Sequence, residues 1–211
     1  MGEQIKALEA RATVYHHISL AFLKPDAGLF RAPAKGSFLR ALKKAFSHLT
    51  SDPSRKLPPL PEALFPDSPK SLEDEFRRLF GHTVSRDFPP YETEYGSSHV
   101  FQQTQSLADI TGFYRAFGLE VSTEQRQRPD HISVELEFMH FLAMKEVHAL
   151  RNNREGAGIC EKAMRKFLDD HLLRWAPIFC DRLLAAHPDS FYGRMAEILK
   201  RFLVLESSLF P

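Results

Sequence analysis

The sequence is poor in cysteine and tryptophan, and neither sign of charge is in clear excess. Its 211 residues include two Cys and one Trp, while 28 Lys or Arg balance 27 Asp or Glu. Two cysteines in a chain of this length do not form the disulfide framework of a small secreted domain. We therefore expect Cys160 and Cys180 to be buried thiols in a reducing compartment. A net charge of +1 gives no general attraction for nucleic acid or an anionic membrane.

Signals for export or membrane insertion are also missing. The first 23 residues contain Glu3, Lys6, Glu9 and Arg11, which interrupt the apolar stretch that a signal peptide requires. No run of 18 apolar residues is long enough for a membrane-spanning helix. These absences predict a cytoplasmic protein with no stable membrane insertion.

Apolar residues recur at helical spacing along most of the chain, and no segment alternates as a half-buried strand does. The 18 Phe residues exceed any other aromatic type, so we expect some of them to line a binding surface as well as the core. The segment 130–152 is apolar on most sides and is predicted to be a long central buried helix. The predicted helices cover residues 3–24, 36–50, 71–81, 104–118, 130–152, 157–174, 177–187 and 190–206. The sequence therefore predicts an all-α bundle.

Proline marks one division within this bundle. Six of the chain's 14 prolines fall within residues 51–69, which predicts an extended connection or hinge. The hinge separates an N-terminal helical pair, 1–50, from a main helical body, 70–211. We predict that residues 1–211 form a single domain, with the helical pair packed on the body. A domain-swapped dimer remains an alternative.

Two stretches combine rigidity with chemical groups suited to recognition. Residues 89–95 read Pro-Pro-Tyr-Glu-Thr-Glu-Tyr and lie in a predicted ordered loop, 82–101. Residues 129–131 read Pro-Asp-His and precede the predicted central helix. Asp130 is predicted to cap that helix, and a carboxylate there would also attract a cationic ligand group. His131, in the first turn, would be held neutral by the positive helix end.

Motifs for catalysis or cofactor binding are incomplete. Residues 137–140 form one Glu-x-x-His motif, whereas a di-iron bundle needs two. The Gly-Ala-Gly segment 156–158 has no preceding strand and no Lys-Ser/Thr pair, so it is interpreted as a turn and not a phosphate loop. His16 and His17 have no partner at metal-ligand spacing. We predict no catalytic residue, metal or cofactor, and retain a nucleotide-binding or hydrolysing protein and a ferritin-like metal enzyme as alternatives.

Three motifs in order resemble a known family. Phe76-x-x-Leu79-Phe80 is followed by Pro89-Pro90-Tyr91-Glu92, and then by Pro129-Asp130-His131 before the Glu-Leu-Glu-Phe-Met segment 135–139. This pattern is similar to the TorD/DmsD/NarJ family, the cytoplasmic maturation chaperones of molybdenum oxidoreductases. The motifs cover about residues 70–150. The form of residues 89–96 is most similar to members that serve type II enzymes of the DMSO reductase family.

The resemblance implies a TorD-like helical bundle that acts by binding. Its expected partners are the apo-form of a molybdopterin oxidoreductase catalytic subunit and the twin-arginine signal peptide of that subunit, whose export is delayed until the cofactor is inserted. A chaperone that acts mainly on the mature apoenzyme body remains an alternative. The peptide-binding residues that the resemblance implies are Phe76, Leu79, Phe80, Pro90, Tyr91, Glu92, Asp130 and His131.

These residues would have two different roles within one groove. The carboxylates of Asp87, Glu92, Glu94 and Asp130 would pair with the arginines of the peptide. The stripe from Phe76 to Phe80 would form an apolar floor for the hydrophobic run that follows the arginines. The two recognition stretches, 89–95 and 129–131, would then be opposing lips of the groove.

Overall fold

The chain folds into α-helices in a computed structural model. The structure describes residues 1–25, 32–50, 60, 64–81, 87–96, 100–121, 127–152 and 156–209. Its helices are α1 (Gly2–Ala21), α2 (Ala32–Leu49), α3 (Pro69–Phe80), α4 (Val100–Ala116), α5 (Ile132–Arg151), α6 (Ile159–Phe167), α7 (Leu173–Ala186) and α8 (Phe191–Leu209). A 3-10 turn, Glu92–Glu94, and a π-helical segment, Leu168–Leu172, complete the regular structure of these ranges. No strand occurs in them, and the predicted all-α fold is confirmed.

Helix α5 lies at the centre of the packing. It packs along α1 and α6, while α1 also packs on α2 and α7 packs on α8. One continuous apolar core includes Tyr15 of α1, Leu136 of α5, Trp175 of α7 and Phe202 of α8. Both cysteines are buried free thiols. Among the described residues, no helix combines the length and apolar character that crossing a bilayer demands.

A buried ion pair joins α1 to α8. The guanidinium of Arg11 donates to both carboxylate oxygens of Glu206 at 2.8 Å. The hydroxyl of Tyr15 donates to the same carboxylate at 2.6 Å. Glu206 is 0% exposed, so this carboxylate is stabilised by hydrogen bonds within the protein. The three side chains fix the relative position of the first and last helices.

The N-cap of helix α3 lies three residues earlier than predicted. Ser68, not Ser71, is the N-cap, and its hydroxyl accepts the backbone N–H of Ser71 at 3.1 Å. Pro69 occupies the first helical turn, where its missing N–H costs no hydrogen bond. The prediction of Ser71 was wrong because Pro69 was assigned to the hinge. Most of that hinge, residues 51–59 and 61–63, lies outside the described residues.

The predicted break at Pro177 was also wrong. Pro177 lies within α7, which starts at Leu173. The acceptor that Pro177 leaves free is the carbonyl of Leu173, four residues earlier. That carbonyl lies where the hydrogen-bond pattern changes from the π-helical segment 168–172 to α7. The backbone hydrogen bonds are therefore already irregular at this point, and the helix continues through Pro177.

Candidate functional site

The two stretches identified in the sequence are in direct contact. The backbone N–H of Glu92 donates to the carbonyl of Asp130 at 3.0 Å, and that of Ile132 donates to the carbonyl of Pro90 at 2.9 Å. Tyr91 and His131 form an isolated antiparallel bridge through these bonds. The stretches are therefore joined along their backbones. The expectation that they form opposing lips of a groove was wrong, because the two stretches lie side by side.

Asp130 is the buried centre of this junction. Its carboxylate is 0% exposed and accepts hydrogen bonds from the hydroxyl of Thr93 at 2.8 Å and the backbone N–H of Thr93 at 3.3 Å. Arg128 adds two bonds, from Nε to Oδ1 at 3.0 Å and from Nη2 to Oδ2 at 2.8 Å. Asp130 therefore does not cap α5, because its oxygens face Thr93 and Arg128. The predicted cap was wrong by one residue.

Arg128 is bound on several sides. Its guanidinium carbon lies 4.4 Å from the ring centroid of Tyr91, within the range of a cation–π contact. Nη2 also donates to the hydroxyl of Thr93 at 2.6 Å, and Nη1 lies 3.4 Å from Oε1 of Glu94. Burial opposes the charge, but Asp130 and then Glu94 hold the pKa of Arg128 above its ordinary value. We call Tyr91, Thr93, Glu94 and Asp130 the guanidinium cradle.

His131 is the N-cap of α5. Its Nδ1 accepts the backbone N–H of Ser133 at 3.2 Å and lies 2.6 Å from the hydroxyl oxygen of Ser133. Its ring packs edge-on against Tyr91, with centroids 5.2 Å apart. Burial lowers the pKa of His131 to about 4, although the charge of Asp130 acts in the opposite direction. The imidazole is thus neutral as predicted, chiefly because it is buried and not because of the helix end.

We expect His131→Asn to weaken the dependence of stability on pH. Since the folded-state pKa lies below the ordinary value of 6.5, the unfolded chain binds the proton more tightly between pH 6.5 and about 4. Stability is lost as the pH falls through this window, by about 3 kcal/mol for a shift of this size. Asparagine retains an N-cap oxygen but does not titrate. Urea denaturation at pH 7 and pH 4.5 measures the difference, and an unchanged pH dependence in the variant contradicts this assignment.

Glu92 belongs to a second polar cluster, on the other side of the loop. Both of its carboxylate oxygens lie 3.1 Å from Nδ1 of His171, in the π-helical segment. Nearby, the indole N–H of Trp175 donates to the buried carboxyl of Glu135 at 3.1 Å. Burial, followed by the charge of Glu92, raises the pKa of Glu135 well above its ordinary value. Glu92 is therefore held by internal contacts, and its side chain is only 12% exposed.

The stripe on α3 packs against α7 and α8. Leu79 is buried in the core, whereas Phe76 and Phe80 are half-buried. The ring of Phe80 contacts that of Tyr192 at 5.1 Å and that of Phe179 at 6.4 Å. The ring centroid of Phe179 also lies 6.4 Å from that of Tyr95, so the stripe lies close to the Tyr95 end of the stretch 89–95. Leu79, like Pro90 and His131, has no open face for direct contact with a peptide, and the carboxylate of Asp130 is covered by the guanidinium of Arg128.

An apolar pocket lies next to the guanidinium cradle, between the end of α4 and the exposed side of α5. Its volume is about 270 Å³. Tyr114 links the two features, because it lines the pocket and its hydroxyl donates to the carbonyl of Pro129 at 2.8 Å. The exposed carboxylates of Glu120 and Glu137 stand at the rim. The lining residues are Tyr114, Leu119, Glu120, Val121, Gln127, Val134, Glu137, Phe138 and Phe141.

The sequence reasoning missed this pocket. It assigned Val134, Phe138 and Phe141 to a buried helix, and their shared spacing is indeed that of a core face. The sequence did contain an indication of it, because the charged residue Glu137 interrupts this apolar face of α5 and indicates that the face is partly exposed. Val134 and Phe141 are only half-buried, in agreement with that signal.

The glycine turn before α6 already has an internal hydrogen-bond acceptor. At the start of α6, the backbone N–H of Gly158 donates to the carboxylate of Glu146 at 2.5 Å. A phosphate there would meet that negative group. Gly156 and Gly158 both have positive φ, as a tight turn requires. No group of three or more potential metal ligands is found among the described residues.

Comparisons with known proteins agree on one family. The model described as nitrate reductase delta subunit matches residues 47–181, a span that includes the cradle and the pocket. The perchlorate reductase assembly chaperone protein of Dechloromonas aromatica is 32% identical over 145 residues, 66% of this chain and 64% of that protein. The selenate reductase assembly chaperone protein of Thauera selenatis is 38% identical over 93 residues, 44% and 47% of the two chains. The chaperone protein TorD of Vibrio cholerae is 24% identical over 215 residues, which cover 96% of this chain and 93% of that protein. The alignments with the first two leave more than a third of each relative unmatched.

Proposed function

Because the chain belongs to the nitrate reductase delta subunit family, we propose that it is an assembly chaperone for the catalytic subunit of a molybdopterin oxidoreductase. Its similarity to proteins named as perchlorate and selenate reductase assembly chaperones supports this role. The client is the apo-form of that subunit, and the main recognition element is its twin-arginine signal peptide. The chaperone acts in the cytoplasm by binding alone, without a catalytic residue or a cofactor of its own.

The observation that carries this proposal is the apolar pocket beside an acidic, aromatic cradle. A twin-arginine peptide presents guanidinium groups followed by an apolar run. Glu94, with a side chain 31% exposed, and the rim carboxylates Glu120 and Glu137 match the guanidinium groups in charge. The face formed by Val134, Phe138 and Phe141 matches the apolar run. This assignment moves the apolar floor from the α3 stripe to α5.

The expected affinity follows from the balance of burial and ordering. Burial of ~400 Å² of apolar surface at about 25 cal/mol/Å² contributes ~10 kcal/mol before costs. Ordering a flexible peptide and removing its translational freedom cost several kcal/mol, and charge pairing offsets part of that loss. A dissociation constant near 1 μM, or about −8 kcal/mol, is therefore a reasonable expectation. A complex of this affinity keeps the signal peptide bound during assembly and still permits its release.

We expect Phe141→Glu to weaken peptide binding at least about tenfold, because the new carboxylate would lose its water beneath an apolar chain segment. Val204→Glu is the matched control, since Val204 is 64% exposed on α8 and lines no part of the pocket. Calorimetric titration with a synthetic twin-arginine peptide measures both variants, and circular dichroism checks that both remain folded. If Phe141→Glu binds as tightly as Val204→Glu, the pocket is not the binding site.

A second comparison separates the two modes of client binding. The chaperone is produced together with its client, once with the signal peptide and once without it. Binding through the signal peptide predicts co-purification only in the first case. Recovery of equal amounts in both cases would make the mature apoenzyme body the main target.

A further inference from the structure

The guanidinium cradle has the features of a site for an arginine side chain. The carboxylate of Asp130 accepts two parallel N–H groups, a geometry that a guanidinium provides and an ammonium does not. Thr93 accepts a third N–H, and the ring of Tyr91 covers one face of the planar group. In this structure the occupant is Arg128, from the same chain.

We propose that Arg128 occupies the cradle as an internal surrogate, which an arginine of the client displaces when it binds. The source of the displacing arginine rests on the proposed function, whereas the selectivity of the cradle for guanidinium rests on its geometry alone. Arg128 thus regulates the site by competing with the client from within the chaperone.

The acceptors are buried, whereas the donor is partly exposed to solvent. Asp130 is fully buried, and its backbone is held by the Tyr91–His131 bridge. Thr93 is buried too, and its carbonyl accepts the side-chain amide of Gln103 at 3.2 Å. The side chain of Arg128 is 37% exposed, and Arg128 precedes α5 in a segment without regular structure. Rotation of this side chain into solvent leaves the bridge and the acceptors in place.

Exchange of one guanidinium for another keeps the buried charge of Asp130 paired at all times. Asp130 is completely buried, so an empty cradle would leave its charge without a counter-ion. Arg128 provides that counter-ion whenever no client is bound. A client arginine restores the same bonds as it arrives, whereas a lysine would leave one of the paired acceptor positions unfilled. The surrogate therefore keeps the free chaperone stable and raises its selectivity for arginine.

Chemical rescue tests the selectivity of the cradle without any client. Arg128→Ala should lower the melting temperature, and millimolar N-ethylguanidinium should restore part of the loss in this variant but not stabilise the wild type. Ethylammonium at equal concentration should restore nothing. Arg151→Ala, which removes an exposed arginine paired with Glu9, is the matched control and should show no rescue. Equal effects of the two compounds, or of N-ethylguanidinium on all three proteins, would overturn the proposed cradle.

Peptide titration tests the competition. If Arg128 occupies the cradle about 90% of the time, its removal should tighten binding of a twin-arginine peptide about tenfold. Arg128→Lys, which keeps a positive charge beside Asp130, covers the case in which Arg128→Ala does not fold, and it should also bind more tightly than wild type. Unchanged affinity in the folded variant would overturn the competition. If neither wild type nor variant binds the peptide while rescue succeeds, the proposed client is wrong and the guanidinium site stands.

Discussion

We expect Glu206→Ala to lower the free energy of unfolding by about 3–5 kcal/mol, because it removes the carboxylate that compensates a buried guanidinium. Arg11 is almost fully buried, and Tyr15 loses its acceptor in the same substitution. Each of these groups was desolvated on folding, so the loss exceeds the net value of the original bonds. Urea denaturation followed by circular dichroism measures the change. For a chain of this size the melting temperature should fall by roughly 10 °C.

The matched control for Glu206 lies on the same helix. Glu197 is paired with Arg201 one turn away, and both side chains are more than a third exposed. Exposed pairs of this kind contribute about 0–1 kcal/mol, so Glu197→Ala should change stability little. If the two alanine variants lose similar amounts, the link between α1 and α8 is not a major source of stability.

The second large effect is expected for Gly193→Ala. A Cβ at this position would lie 1.8 Å from the carbonyl oxygen of His187 and 2.8 Å from its carbonyl carbon. These are backbone atoms, so no side-chain rotation relieves the overlap, and the start of α8 must move away from the turn before it. We expect a loss of about 3 kcal/mol or more, at the upper end of the range for overpacked sites. The free energy of unfolding in urea measures it.

Gly112 provides the opposite case for the same substitution. It is exposed in the interior of α4, and apart from its chain neighbours and the backbone of its own helix no heavy atom lies within 4 Å of the position that a Cβ would take there. Gly112→Ala should therefore stabilise the protein by about 0.5–1 kcal/mol, since alanine loses less backbone entropy in a helix. A loss of stability at Gly112, or none at Gly193, would contradict the packing described for these two helices.

Helical periodicity was sufficient to predict the fold but not the details at helix ends. The prediction of 190–206 closely matches α8, Phe191–Leu209, because its apolar spacing is regular. Two predicted N-caps were wrong, at helix starts where more than one residue has a side chain able to cap the helix. Ser68 was preferred to Ser71 because of Pro69, and His131 was preferred to Asp130 because the aspartate has partners outside the helix. Such choices depend on neighbours that a local pattern does not contain.

The candidate site was predictable in part. The chemical character of residues 89–95 and 129–131 identified both stretches, and they are in contact. Their partners were not predictable, because they come from distant or irregular segments. His171 lies 79 residues from Glu92 in the sequence. Arg128 is only two residues from Asp130, but a loop has no periodicity that would indicate which way its side chain turns.

The Tyr91–His131 bridge has a consequence for the time at which the site forms. It joins the two ends of a segment that contains the whole of α4, so the chain must close a loop of about 40 residues before the bridge can exist. Contacts of this sequence separation form late in folding, after local helices. We therefore expect a nascent or partly folded chain to have neither the cradle nor the adjoining pocket. The proposed recognition of a client is then restricted to chains that have completed their own folding.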